Sequence, residues 1–221
     1  MLPKTTLDFL QKLQENNNRE WFAENKKTFD DEQKKVKVFF NKVGESLGKS
    51  DGIERIQIFR IYRDVRFSKN KTPYKNHFSA GFTRTKPMLR GGYYLHIEPG
   101  ASFVGGGFWE PNKDDLLRIR KEIALDATEL RTIINQPTFK KYFETLEGEE
   151  LKTAPRDFEK THPNIDLIRK KQFLVVRKFT DKEVLDSNFE EEILNSFKAM
   201  RPFFNYMSDV LTTNLNGESI Y

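Results

Sequence analysis

Apolar positions in the first fifty residues recur at intervals of three, four and seven, the period of helices with one buried face. Leu7, Leu10 and Leu13 form one such stripe, with Thr5 and Asp8 as a weak capping box at its start. Asn16-Asn17-Asn18 interrupts it. A second stripe, from Trp21 and Phe22 through Phe29, Val36, Phe39, Phe40 and Val43 to Leu47, predicts one long helix. Asn17 and Glu20 would open that helix and Gly48 would close it.

The pattern then changes to β. Ile56 to Arg63 is rich in β-branched and aromatic residues and reads as a strand. His77 to Thr83 and Tyr93 to Glu98 read as two more. Pro99-Gly100 predicts a tight turn, and Ala101 to Val104 the returning strand of a hairpin, ended by Gly105-Gly106-Gly107. Helical spacing resumes after Asn112, with Asp115 three positions on, and runs to about Asn135; Pro137 restarts a shorter helix. Residues Glu147 to Pro163 read as loop, Phe173 to Phe179 as a strand, and a last helix follows Ser187. The expected fold is α+β, a mostly antiparallel sheet with amino- and carboxy-terminal helices around it. One domain over residues 1–221 is expected, with a helical part over about 5–48, a β-rich part over about 54–108, and helices plus one strand over about 112–214.

Composition narrows the chemistry. Charged residues make up 32%, yet there are 20 Phe, 7 Tyr and 2 Trp, which disordered chains lack. There is no cysteine, which excludes disulfides, thiol nucleophiles and thiolate metal sites. No apolar stretch of signal-peptide length follows Met1 to Thr6, and no run approaches the ~18 apolar residues that span a bilayer. A soluble, cytoplasmic protein with no membrane partner is expected.

The net charge of +5 is unevenly placed. Between Glu54 and Arg90 ten cations face only Glu54 and Asp64, a net of +8, so the rest of the chain is net −3. Local basicity of this kind suggests an anionic partner.

Arg63-Asp64-Val65-Arg66-Phe67-Ser68-Lys69-Asn70-Lys71-Thr72-Pro73-Tyr74-Lys75-Asn76-His77 is the densest polar stretch. It resembles the signature of a bacterial family known as domain of unknown function 2461. Asn17 to Phe22 resembles that family's amino-terminal motif, Gly92 to Gly100 with Gly105 to Trp109 its hairpin, and Pro155-Arg156 with Phe173 to Arg177 its distal part. The resemblance implies a single soluble domain and supplies no catalytic residues, so the chemistry is argued from the side chains.

Arg63, Arg66, Lys69, Tyr74 and Lys75 form the expected ligand-binding set. Arginine forks take phosphate or carboxylate bidentately, lysine adds a point charge, and tyrosine a neutral donor. Asp64 would orient the arginine forks. Strand alternation puts Arg60 and Tyr62 on one face and Arg63 on the other, so convergence requires the following loop to fold back. The alternative is an exposed basic loop with surface ion pairs of about 0–1 kcal/mol each.

Tyr94, His96 and Glu98 share a strand face, and His77 lies on a neighbouring strand. His96 and Glu98 are candidates for a proton-transfer pair or for two metal ligands, with His77 placed to join them, against the alternative of a merely solvated face. No metal-binding spacing is present, and neither a metal nor a cofactor is expected. The run Gly105 to Gly107 lacks the Lys-Ser/Thr of a phosphate loop, and Asp114 and Asp115 already occupy the next helix's first turn. Close backbone packing or a bulge is the expected reason for these glycines.

Three functions follow. The first is binding of a small phosphorylated or carboxylated ligand, with turnover left open. The second is sequence-neutral nucleic-acid binding, in which Phe67, Tyr74, Phe78 and Phe82 stack bases among the cations. The third is docking of an acidic partner protein through the same patch.

Overall fold

The computed structural model describes residues 1–214 and 216–221. The fold is α+β: a five-stranded antiparallel sheet with strands in the order β1-β2-β3-β4-β5, and terminal helices flanking it. The strands are β1 (Ile53–Ile58), β2 (Phe78–Arg84), β3 (Gly92–Ile97), β4 (Ser102–Phe108) and β5 (Phe173–Phe179). Among the described residues no helix is long and apolar enough to cross a membrane.

The chain packs as two compact units. Met1–Phe82, Tyr94–Val104 and Lys178–Asn195 form one; Thr83–Tyr93, Gly105–Arg177 and Ser196–Tyr221 form the other. In the first, α1 (Lys4–Glu15) packs on α3 (Lys26–Gly48), burying Leu7, Leu10 and Leu13 as their spacing predicts. Pro3 caps α1 without a side-chain bond, so the capping box of Thr5 and Asp8 is not made. Thr6 instead donates to the buried carboxylate of Glu32 at 2.8 Å, which also accepts from Lys35 at 2.7 Å.

The predicted long helix is two helices, α2 (Arg19–Glu24) and α3. Their break is at Asn25, whose side-chain amide donates to Trp21 O at 2.9 Å and competes with the helical ladder. Asn18, not Asn17, caps α2, accepting from Trp21 N at 2.8 Å. The aromatic stripe closes this unit's core: Phe22 and Phe29 lie 5.0 Å apart by ring centroid, and Phe39 stacks on Phe189 at 5.8 Å.

In the second unit, Asn112 caps α4 (Lys113–Leu125) through Asp115 N, as its spacing predicts. The helix does not continue to Asn135. Asp126 accepts from Thr128 N at 2.8 Å and separates α4 from α5 (Thr128–Asn135). Pro137 opens α6 (Pro137–Phe143), and the short α7 (Ile165–Ile168) lies against α4. A second short helix, α8 (Asp181–Val184), belongs to the first unit and precedes α9 (Phe189–Thr212).

Strand β4 does not stop at the glycines. It runs through them, and two of the three have no room for a side chain: a Cβ on Gly106 would sit 2.6 Å from the Phe204 ring. One on Gly107, at φ +131°, would sit 2.1 Å from Phe173 O. This is the close backbone approach that the glycine run suggested.

Candidate functional site

The site lies within the first unit and starts from the alternation of β3. Tyr93, Leu95 and Ile97 are buried on one face, which leaves Tyr94, His96 and Glu98 on the other. His77, immediately before β2, brings its ring to 4.0 Å from that of His96. Across the hairpin Phe103 stacks on His96 at 4.7 Å and 18°, and Phe59 lies 6.1 Å from Tyr94. Two imidazoles therefore sit on a sheet face walled by aromatic rings.

The polar atoms around His96 form one chain. His96 Nε2 is 2.7 Å from Glu98 Oε2, and the Asn76 amide donates to Glu98 Oε1 at 2.5 Å. His96 Nδ1 is 3.2 Å from the Tyr94 hydroxyl. Burial pushes His77 down to about 3, with His96, Lys75 and Arg63 adding to the effect. His96 is also lowered by burial, against the opposing effect of its hydrogen bond to the Glu98 carboxylate. Burial raises Tyr94. Both imidazoles are thus neutral at physiological pH, and each can offer a lone pair. The ligand atoms of His77, His96 and Glu98 lie within 4.8 Å of one another, a cluster compact enough to hold one metal ion.

The basic loop reaches this face through its neck. Strand β1 ends at Ile58, earlier than the predicted Arg63, and the chain pairs again at Tyr62 and Tyr74. There Arg63 N donates to Pro73 O at 2.9 Å and Lys75 N to Ile61 O at 2.7 Å. Arg63 and Lys75 thereby flank the neck, close enough to His77 to lower its proton affinity. Lys75 is half-buried, its ammonium 5.6 Å from the Phe59 ring centroid. Burial lowers it, and Arg60 and Arg63 lower it further. No carboxylate among the described residues pairs with it. Arg63 donates to Thr72 Oγ1 at 2.7 Å.

The other members of the expected set lie elsewhere. Arg66 is largely exposed, and its fork is held by both oxygens of Asp64, at 3.0 and 2.7 Å. Lys69 is exposed. Tyr74 is buried with its ring stacked on Phe22 at 3.9 Å and 13°, in the amino-terminal aromatic cluster. The structure thus gathers Arg63, Lys75, His77, His96 and Glu98, and sets Asp64, Arg66, Lys69 and Tyr74 apart from them. Sequence reasoning missed Asn76, Phe59 and Phe103. Alternation across the hairpin would have placed Phe103 on the face of His96, whereas Asn76 carries no pattern beyond its place in the polar stretch.

No curated protein and no solved structure matches this chain. A family model described as "Conserved hypothetical protein (DUF2461)" matches residues 5–206, and the chain belongs to that family.

Proposed function

We propose that the face formed by Arg63, Lys75, His77, His96 and Glu98 binds a small phosphorylated or carboxylated molecule. The observation that carries this is Lys75: a half-buried ammonium whose strongest charged neighbours are Arg60 and Arg63. Arg60 is exposed and Arg63 partly buried, so the repulsion is felt chiefly at Lys75, and a bound anion would relieve it. The His96–Glu98 pair stands beside this point and would orient the ligand or move a proton on it. A cytoplasmic location belongs to this reading and is checked by cell fractionation.

The test is a thermal-shift series with inorganic phosphate, pyrophosphate, nucleotides, sugar phosphates and dicarboxylates. A ligand at a hundred times its Kd stabilises by about 2.7 kcal/mol. Each kcal/mol raises the midpoint of a chain this long by roughly 2–4 °C. A shift that disappears in Lys75→Ala is expected; no shift from any small anion would overturn the reading.

One observation favours nucleic acid instead. Phe67 is 97% exposed at the loop tip, beside Arg66 at 6.0 Å and the exposed Lys69 and Lys71. An aromatic ring among cations is a stacking platform for single strands. Oligonucleotide binding that weakens steeply with salt and is lost in Phe67→Ala would establish this second reading.

A further inference from the structure

We infer that His77, His96 and Glu98 hold a divalent first-row transition-metal ion, which serves as the anchor for the anion. This deepens the preceding reading and rests on it only for the anion; the ion site stands on its own geometry. The donor atoms of the three residues lie within 4.8 Å of one another. Around an ion with bonds of about 2.0–2.2 Å, donors stand roughly 3–3.5 Å apart, so only side-chain adjustments are needed.

The outer contacts already aim the donors. The Tyr94 hydroxyl faces His96 Nδ1, so Nε2 is the ring nitrogen turned towards Glu98. Asn76 occupies Glu98 Oε1, leaving Oε2. Nε2 and Oε2 are partnered by each other, at 2.7 Å. In the metal-free protein the His96 Nε2–H donates to Glu98; with the ion bound the ring would take its other neutral tautomer, its one proton on Nδ1 donating to the Tyr94 oxygen, so that the Nε2 lone pair and Oε2 face the ion. Such tethering of a ligating imidazole and carboxylate from behind is how proteins fix metal ligands. The scaffold is firm: His96 is 7% exposed and covered by the Phe103 ring.

Two imidazoles and one carboxylate favour zinc, iron, cobalt, nickel or manganese over magnesium or calcium. Three protein ligands leave coordination positions open. Lys75 and Arg63 would repel a bare ion. An anion bridging the ion and these two cations resolves that repulsion, which makes phosphate or carboxylate the natural occupant of the open positions.

The experiment is a cobalt(II) titration of chelator-stripped protein, followed by visible absorbance and by metal analysis after gel filtration. One cobalt per chain is expected, displaced by zinc. Affinity should fall at least a hundredfold in His77→Ala and Glu98→Gln, and about ten- to a hundredfold in Asn76→Ala, which removes only a tether. Lys75→Ala should keep the ion, because it removes a repelling charge. His77 is partly exposed beside β2, so its variant is expected to fold as wild type by circular dichroism, and it keeps the test decisive if the others misfold. Failure of wild-type protein to retain one ion, or equal retention by His77→Ala, would overturn the proposal. An anion-dependent thermal shift that survives in chelator without metal uptake would remove the ion and keep the anion site. Metal uptake with no anion response would do the reverse.

Discussion

Asn17 grips the backbone of Tyr74 at both of its polar groups: its amide donates to Tyr74 O at 3.0 Å, and its carbonyl accepts from Tyr74 N at 3.1 Å. The side chain acts as a short surrogate strand, and Phe22 seals the same residue by stacking on its ring. The amino-terminal motif and the basic segment, 57 residues apart in sequence, are thus one structural feature. Asn17→Ala leaves two partly buried backbone groups without these partners. It should cost about 1–3 kcal/mol in denaturant unfolding. It should also speed amide exchange at Tyr74 and Lys75 before the rest of the unit, which hydrogen-exchange mass spectrometry would resolve.

His77 gives a pH prediction. Its folded pKa, lowered to about 3, lies below the ordinary value of 6.5. Between those values the unfolded chain binds a proton that the folded chain does not, so stability rises with pH across the window and falls as pH drops through it. The slope is at most about 1.4 kcal/mol per pH unit, reduced by the partial exposure of the ring. In chelator-treated protein, the His77 ring resonances should not titrate between pH 8 and 5. His77→Gln should flatten the acid side of the stability curve. A ring that titrates near 6.5 would contradict the burial described for it.

Glu32 has the opposite sign. Burial pushes its carboxyl up, but hydrogen bonds from Lys35, Thr6 and Thr5 outweigh burial and hold it below the ordinary value of 4.5. Its contribution is complete above that range and drains away as pH falls through the lowered folded value. Glu32→Gln should therefore cost about 1–2 kcal/mol at pH 7. The gap between variant and wild type should close on acidification, as followed by urea unfolding at several pH values.

Two glycines should respond in opposite directions to alanine. Gly107→Ala places a Cβ 2.1 Å from Phe173 O at φ +131°, and should lose several kcal/mol or fail to fold. Gly48→Ala meets nothing within 4 Å at the last residue of α3, and should gain about 0.5–1 kcal/mol. Thermal melts of both variants read the contrast directly.

Elements dictated by neighbours in sequence were legible: the apolar run Phe173–Val176 that opens β5, the Asn112 cap and the proline start of α6. Elements decided by distant groups were not. Nothing local shows that Asn25 turns its amide onto Trp21 O, or that β4 runs on through three glycines, with Phe204 and Phe173 leaving no room for a side chain at Gly106 and Gly107. The same division runs through the candidate site. The shared face of His96 and Glu98 follows from a two-residue period. The addition of His77 depends on the register of β2 against β3, and that of Arg63 and Lys75 on the pairing of Tyr62 with Tyr74. The density of cations pointed to the right segment without separating those at its base from those at its tip.

That pairing has one more consequence. The backbone bonds between Arg63 and Pro73 and between Lys75 and Ile61 cinch the intervening residues into a lasso, on which Phe67 is almost fully exposed. A lasso tied at its base can be opened at its tip while both strands stay in place. Chymotrypsin cleavage after Phe67 should therefore yield two pieces, residues 1–67 and 68–221, that remain associated as a split protein. The tip is then a place where the chain can be cut, tagged or replaced, while the histidines and the two cations at the knot stay where they are.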